Sequence, residues 1–235
     1  MPQASPTDAR YIEREWLDDL PPADPRAMRA RRDLRRVNSW MLQPLVMARL
    51  LTAYAPGRTR KLLDLGAGDG SFMLRVARRL DWRDVTITLV DRQNAVSGET
   101  LAAFGSLGWN AEIATSDVIE FMEWPAGFDI ITANLFLHHL ADPDLVRLLG
   151  RAAQCTSLFV ACEPRRGQWA LRSSRLLWAI GCGEVTLHDA PASVRAGFAG
   201  RELSALWPSD GAWELHEHPR LFSHCFVARQ RGSRP

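Results

Sequence analysis

The sequence predicts an α/β fold: a doubly wound, mainly parallel seven-stranded sheet with helices on both faces, an antiparallel C-terminal hairpin strand and a helical lid. Between residues 60 and 164, near-continuous apolar strands alternate with amphipathic helices, which is typical of a parallel sheet covered on both faces. The last two strand candidates lie only a few residues apart, too close for a helical crossover, so we expect them to pair antiparallel. We expect an N-terminal helical cap over 1–58 and a core over 59–235, with a lid insertion at about 165–208.

Each element has its own signal. The predicted strands are Lys61–Leu65, Val85–Val90, Ala111–Thr115, Phe128–Ala133, Ser157–Cys162, Ala212–His218 and Phe222–Arg229. Helical spacing of apolar residues predicts two helices with one buried face each, the first through Met73, Val76, Ala77 and Leu80 and the second through Leu145, Leu148, Leu149 and Ala152. A further helix is expected at Leu101–Leu107, and Asp142-Pro143 predicts a helix start with the aspartate as N-cap.

Composition narrows the class of protein. The chain has 235 residues, 46% hydrophobic and 24% charged, with a net charge of +2 that does not indicate a nucleic-acid partner. No apolar run approaches the ~20 residues of a membrane-spanning helix, and the N-terminus lacks the apolar stretch of a secretory signal. We therefore expect a cytoplasmic protein with no membrane partner. The predominance of arginine over lysine, together with many alanines, is typical of a GC-rich bacterial genome, and the four cysteines lack metal-ligand spacing, so no metal is expected.

A glycine-rich turn follows the first predicted strand, in the segment Leu62–Gly70. Its glycines let the backbone approach a ligand, and Asp91 at the end of the second strand can accept both hydroxyls of a ribose. A dinucleotide site would place a third glycine where Ser71 stands, and Asp64 would repel a pyrophosphate but suits an ammonium group. The pattern favours a nucleoside that carries an amino acid.

These residues resemble the class I S-adenosylmethionine-dependent methyltransferases, with their Rossmann-like core. Four landmarks occur in the family's order: LLDLGAGDG, LVDRQ, the segment Ser116–Val118 after the third strand, and the segment Asn134–Leu140, which contains LHHL. The whole chain is most similar to the small-molecule, quinone- and polyketide-type branch, which implies a role in secondary metabolism. By this resemblance the methionine moiety, ribose, adenine and methyl-donor side of the cofactor would contact Asp64, Gly66, Ala67, Gly68, Asp91, Arg92, Asp117, Val118, Asn134 and Leu135.

Three histidines are candidate catalytic residues. Methyl transfer from a sulfonium needs a base only when the acceptor is protonated, as a phenol is, and histidine can accept a proton near neutral pH. His138 and His139 follow the fourth strand, at the sheet edge where doubly wound folds bind ligands, and His188 is expected in a loop that enters a helix. The expected reaction is O-methylation of a small aromatic, phenolic, polyketide- or quinone-like acceptor with histidine assistance. For His138 and His139, the alternative is that one of them is simply a packed or capping histidine.

The segments outside the core carry the candidate substrate contacts. Trp169, Trp178 and Arg195 lie in the lid insertion, where an apolar helical stripe either packs on the sheet or forms one wall of an acceptor pocket. The arginine-rich segment Arg26–Arg36 is either a solvated helix face or folds over the cofactor, with Arg36 or Asn38 reaching its carboxylate; in the second case, deleting residues 1–40 weakens cofactor binding.

Three other functions stay open at this point. An RNA methyltransferase could use Cys162, after the fifth strand, as a nucleophile, although no N/D-P-P-Y/F motif follows the fourth strand. The chain could also be a non-catalytic module that binds the cofactor. Ser71 and Asp64 argue against the third alternative, a nucleotide-dependent oxidoreductase.

Overall fold

The computed structural model describes residues 9–123 and 127–232 and contains the predicted seven-stranded sheet. The strands are β1 (Lys61–Leu65), β2 (Val85–Asp91), β3 (Trp109–Thr115), β4 (Ile130–Asn134), β5 (Leu158–Pro164), β6 (Trp213–Pro219) and β7 (Ser223–Gln230). Their order across the sheet is β3-β2-β1-β4-β5-β7-β6. The first five are parallel, and β7 runs antiparallel to both β5 and β6. The doubly wound sheet and its terminal hairpin are thus confirmed.

Ten α-helices lie within the described ranges. They are α1 (Trp16–Asp19), α2 (Pro25–Trp40), α3 (Gln43–Tyr54), α4 (Ser71–Ala77), α5 (Gly98–Ser106), α6 (Val118–Phe121), α7 (Asp142–Cys155), α8 (Gln168–Ser174), α9 (Glu184–Ala196) and α10 (Glu202–Leu206), with short 3-10 turns at Leu137–His139 and Leu177–Ile180. None of these helices has the length and apolar character needed to cross a membrane.

Two helix predictions need correction. Ala141, not Asp142, is the N-cap of α7, because Asp142 is already the first helical residue and its carboxylate pairs with Arg10 at 2.6 Å. His188 does not lie in a loop that enters a helix, because α9 begins at Glu184 and continues through Pro191.

The core has one layer on each face of the sheet, because successive strand residues point to opposite faces. Leu62 on β1 packs into one layer with residues of α3 and α4, whereas Leu63 packs into the other layer with residues of α7. The four cysteines are free, and Cys162 and Cys225 lie opposite each other on β5 and β7 inside the first layer. Because apolar layers cover both faces of the sheet, polar side chains meet at the edge formed by the carboxyl ends of the parallel strands.

Candidate active site

A cavity of about 660 Å³ opens at the carboxyl ends of the parallel strands. It lies beside β1, whose neighbours β2 and β4 extend the sheet in opposite directions, which is where doubly wound sheets bind ligands. The lining includes eight of the predicted site residues: Gly66, Asp91, Arg92, Asp117, Val118, Leu135, His138 and His139. The structure therefore places predicted cofactor-binding residues and two of the candidate catalytic histidines in one cavity.

The glycine-rich turn is shaped by positive φ angles. Gly66 has φ 68° and its Cα faces the ring of Phe136, so that a Cβ at this position would lie 2.4 Å from the ring. Gly68 has φ 57°, and no atom lies within 4 Å of where its Cβ would be. Gly66 is thus required by both conformation and packing, whereas Gly68 leaves open space beside the backbone.

Asp91 links the turn to the second strand. Its Oδ2 accepts a hydrogen bond from the Gly68 N–H at 2.9 Å, and its Oδ1 accepts one from the Gln93 N–H at 2.8 Å. Each carboxylate oxygen has a second lone pair. The side chain can therefore accept two further hydroxyl donors from the cavity.

Asp64 lies beneath the turn and is not among the residues that line the cavity. Its Oδ1 accepts a hydrogen bond from Thr132 Oγ1 at 2.7 Å. Burial raises the pKa of Asp64 to about 7, against the opposing effect of that hydrogen bond. Ala67, Gly68 and Asn134 are likewise not among the lining residues, although they flank Gly66 and Leu135, which are.

Asp117 has two roles in this geometry. Its side chain accepts a hydrogen bond from the Ile119 N–H at 2.8 Å, which caps α6, and the residue also lines the cavity beside Val118. The capping role considered for this residue is therefore compatible with a ligand contact.

Glu163, at the end of β5, organises the turn that carries the histidines. Its carboxylate is fully buried and accepts hydrogen bonds from the N–H groups of Phe136, Leu137 and His138, at 3.1, 2.9 and 3.4 Å. Leu135 makes this convergence possible by adopting φ 52°, a left-handed conformation that is uncommon for leucine and occurs at functional sites.

His138 lies between two carboxylates. Its Nδ1 is 2.8 Å from Glu163 Oε2, and its Nε2 is 3.5 Å from Glu15 Oε1. Burial by itself lowers the pKa of His138, but the interactions with Glu15 and Glu163 outweigh it and raise the pKa to about 9. At neutral pH this imidazole carries a proton on both nitrogens, so it has no lone pair with which to act as a base.

His139 has a different environment, although its ring centroid is only 4.2 Å from that of His138. Its Nδ1 lies 3.4 Å from Asp18 Oδ2, and the residue lines the cavity. Burial would raise the pKa of Asp18, but the hydrogen bond with His139 and the charges of His139 and Arg92 lower it below the ordinary value. Asp18 is therefore an anion at neutral pH that orients the His139 ring.

Glu15, His138 and His139 place one possible metal-ligand atom each within 4.8 Å of one another. Protonated His138 contacts the carboxylates of Glu15 and Glu163, so one positive charge faces two negative charges. The attraction between His138 and these two carboxylates holds this part of the cavity wall together.

The remaining candidates lie away from the cavity lining. His188 stacks on Trp16 with ring centroids 3.9 Å apart, and Arg195 pairs with Glu13. Trp169 and Trp178 are exposed, and the predicted stripe is broken because α8 ends at Ser174. The lid instead contributes to the lining through other residues, namely Ala170, Ser173, Ser174, Leu177, Thr186, Asp189, Ala190, Ser193 and Val194.

The arginine-rich segment lies against the glycine-rich turn in the form of α2. Arg35 pairs with Asp69 of the turn at 2.5 Å, and Arg31 donates a hydrogen bond to Gln93 at 2.6 Å. Asn38 is buried and accepts a hydrogen bond from Asn134 Nδ2 at 3.5 Å. Arg36 pairs instead with Asp33 at 3.4 Å, and its side chain is mostly exposed.

Sequence reasoning missed three carboxylates of the site. A signal for Glu163 exists, since an acidic residue that ends an apolar strand lies at the ligand edge of the sheet. No comparable signal exists for Glu15 and Asp18, because their segment reaches the histidines only through long-range packing. It is held by the Trp16 and Leu17 N–H groups, which donate to Asp189 at 2.9 and 3.1 Å.

Comparison with known proteins gives a family match. Residues 62–157 match the family model described as a methyltransferase domain. Uncharacterized methyltransferases of Mycobacterium bovis and Mycobacterium tuberculosis are 34% identical to this chain over 141 residues, which is 57% of this chain and 66% of each relative. The match thus spans just under two thirds of the length of these curated relatives.

Solved methyltransferase structures share the fold. The plantazolicin methyltransferase BamL, solved with a triazolic desmethylPZN analog and SAH, superposes with a TM-score of 0.64 at 13% identity, covering 88% of this chain and 92% of that one. The mitomycin 7-O-methyltransferase MmcR gives a TM-score of 0.53 at 21% identity, covering 79% of this chain and 53% of that one. At these identities the likeness concerns the fold.

Proposed function

Because residues 62–157 match a methyltransferase domain, we propose that the chain is a class I S-adenosylmethionine-dependent methyltransferase that methylates an oxygen of a small phenolic, quinol-type or polyketide-type acceptor. The observation that carries this proposal is the placement of His139, held by Asp18, in the same cavity as Asp91 and the glycine-rich turn. Such a pair can remove the proton of a phenol next to a methyl donor.

The residues present fit the cofactor. Asp91 has lone pairs free for the two ribose hydroxyls, and the space beside Gly68 is open where a side chain would otherwise lie. Asn134 Oδ1 is buried without a hydrogen-bond partner, so it can accept a donor from a bound ligand. When bound, the cofactor supplies an activated methyl group on a sulfonium, so the protein needs to supply mainly orientation and proton removal.

His139 and His138 have separate tasks in this proposal. His139 accepts the acceptor's proton, and Asp18 fixes its orientation and stabilises the imidazolium that results. His138 stays protonated and ties the N-terminal segment, through Glu15, to the turn held by Glu163. A cation beside the cavity also favours the phenolate form of the acceptor.

The apolar residues that line part of the cavity support an aromatic or otherwise apolar acceptor. Apolar side chains from α2 and its C-cap, from α9 and from the 3-10 turn after α8 line the part contributed by the N-terminal and lid segments: Leu34, Val37, Met41, Leu177 and Val194. Binding pockets for small apolar molecules have this combination of an apolar wall and a few polar groups.

A labelling experiment tests the proposal. The protein is incubated with methyl-labelled S-adenosylmethionine and a panel of phenols, resorcinols, quinols, fatty acids and bulk RNA. We expect label in a phenolic or quinol product, and none with the Asp91→Ala variant, which loses the predicted ribose contact. Label in RNA, or cofactor binding without transfer to any acceptor, would overturn the proposal.

The roles of the two groups are tested with variants. We expect His139→Gln to lower kcat by roughly 10²–10⁴-fold, the usual contribution of a general base, while cofactor affinity is unchanged. Asp18→Asn should lower kcat less, and activity should recover as pH rises and the phenol ionises without help. His216→Gln, on the terminal hairpin outside the cavity lining, is the matched control.

A further inference from the structure

Three segments that meet beside the cavity carry arginines and tryptophans and contain no acidic residue. They are residues 34–42, 165–182 and 219–223. The nearest acidic residue in sequence, Asp33, is buried; it accepts a hydrogen bond from the Gly183 N–H at 2.7 Å and pairs with Arg36 at 3.4 Å. We call these three segments the arginine–tryptophan face.

Large apolar side chains are exposed on this face. Trp169 is 74% exposed, Trp178 64% and Trp40 58%, and they are accompanied by exposed Leu42, Leu176, Ile180 and Leu221. Exposed apolar side chains that occur singly need no explanation, but a cluster of this size marks a binding surface. The exposed arginines of the face are Arg36, Arg165, Arg172, Arg175 and Arg220.

The three segments meet around the cavity. The Trp40 ring contacts the Phe222 ring at a centroid distance of 5.0 Å, and both residues line the cavity together with Ala170, Ser173 and Leu177. The segment Gln168–Ile180 therefore forms a wall whose inner side faces the cavity and whose outer side presents Trp169, Arg172, Leu176 and Trp178 to solvent. The face and the cavity share this rim.

We propose that the arginine–tryptophan face binds the surface of an anionic phospholipid bilayer. Tryptophan favours the interface between water and hydrocarbon, where its ring is buried and its N–H can still form hydrogen bonds. Arginine is attracted to anionic headgroups, and the three segments contain no carboxylate to oppose this attraction. The binding goes beyond the methyl-transfer function and needs neither cofactor nor acceptor.

This surface is compatible with the absence of spanning helices in the described ranges, because the side chains enter only the headgroup region. The sequence expectation of no membrane partner was derived from the lack of an apolar stretch, and it did not address a surface assembled from three segments. The contact would bring the rim of the cavity, including Trp40, to the bilayer.

Vesicle sedimentation tests the proposal. The full-length protein is mixed with vesicles of phosphatidylcholine alone or of phosphatidylcholine with phosphatidylglycerol. We expect binding to the anionic vesicles only, weakened by added salt. Arg172→Glu combined with Arg175→Glu should reduce the affinity by more than about fivefold for each arginine, since each substitution removes one attractive charge and adds a repulsive one.

A second double variant measures how much the exposed tryptophans contribute to vesicle binding, apart from the arginines. Trp169→Ser with Trp178→Ser should reduce binding while leaving the fold intact, because both side chains are exposed. The matched control is Val146→Ser with Arg151→Glu, which changes an exposed valine and an exposed arginine on α7, outside the face. Thermal unfolding and S-adenosylmethionine affinity of all variants should equal those of the wild type.

Three results would overturn this proposal. They are equal binding of wild type and face variants to anionic vesicles, wild-type binding to RNA but not to vesicles, and a wild-type dimer that the tryptophan variants dissociate without any vesicle binding. Methylation of the acceptor panel does not enter this test. A failure of the proposed function is therefore distinguishable from a failure of the binding surface.

Discussion

Replacing His138 by glutamine tests whether the site holds a buried cation. Glutamine keeps hydrogen-bond donors near Glu163 and Glu15 but cannot take up a proton. In the wild-type protein the folded-state pKa of about 9 lies above the ordinary value of 6.5, so the folded state binds the proton more tightly than the unfolded chain does. The resulting stability is therefore fully present below pH 6.5 and is lost as pH rises through 9.

The size of this effect follows from the two pKa values. A difference of one pKa unit corresponds to about 1.4 kcal/mol, so His138 contributes about 3 kcal/mol to the free energy of unfolding at pH 6. By linkage the contribution falls to about 1 kcal/mol at pH 8 and is almost absent at pH 9.5. Most of the change should occur between pH 7 and 9, where aspartate and glutamate side chains with ordinary pKa values do not titrate.

Urea denaturation at half-unit pH steps from 6 to 9.5 provides the measurement. The quantity of interest is the difference in unfolding free energy between wild type and His138→Gln at each pH, because groups common to both proteins cancel. We expect this difference to shrink by about 3 kcal/mol across the range. His216→Gln, which changes a histidine that contacts Tyr54 away from the cavity, is the control for the loss of a histidine outside the site.

A difference that stays constant within about 0.5 kcal/mol, the usual error of such comparisons, would refute the reasoning. In that case His138 would be neutral in the folded protein, and a difference in charge could not explain why His139 and not His138 acts as the base. The same slope in both variants would also contradict it, because the effect would then belong to a group other than His138.

Three further outcomes follow from the geometry. Asp64→Asn should stabilise the protein increasingly between pH 4 and 8. The folded-state pKa of about 7 lies above the ordinary 3.8, so the wild type loses stability as pH rises and this carboxyl ionises. The difference between the two pKa values corresponds to about 4 kcal/mol in the free energy of unfolding, which urea denaturation measures. Gly66→Ala should lower Tm more than Gly68→Ala, since both pay about 1–2 kcal/mol for the left-handed conformation but only Gly66 also meets a ring; equal losses would contradict this. Arg35→Met should weaken S-adenosylmethionine binding by roughly 2–5-fold in calorimetry, the range of a partly exposed ion pair that positions the turn, whereas Arg32→Met on the same helix should not.

Most of the fold could be predicted because its signals are local. The alternation of apolar strands and helices, and the short connection before the final strand, determine the sheet and the hairpin without reference to distant residues. The predicted N-cap of α7 was wrong by one residue. The Asp142 carboxylate accepts a hydrogen bond from Arg10, which lies 132 positions away in the sequence, and does not cap the helix. His188 was placed wrongly because Pro191 is tolerated inside α9, where packing against the N-terminal segment outweighs its cost.

The site residues likewise divide into those with a local signal in the sequence and those without one. Gly66, Asp91 and His139 follow strand ends, and the topology of a doubly wound sheet brings such positions together. Trp169 and Trp178 were assigned to the acceptor because they lie in the lid insertion, along or beside an apolar stripe at helical spacing. The helix α8 ends at Ser174, so the stripe does not continue to Trp178, and both tryptophans are exposed to solvent. No pattern in the sequence relates these two side chains to the exposed surface around them.

Two adjacent histidines in the same turn acquire different properties because their carboxylate neighbours differ. Glu163 belongs to the sheet and is fully buried, so its contact with His138 persists whatever the N-terminal segment does. Glu15 and Asp18 both belong to that segment, and removing it would take away one carboxylate from each histidine. The charge of His138 and the orientation of His139 are thus coupled through one stretch of chain. A substitution that detaches it, such as Asp189→Ala beneath the Trp16 N–H, should lower the pKa of His138 and reduce methyl transfer together, and independent changes in the two would show that the segment does not link them.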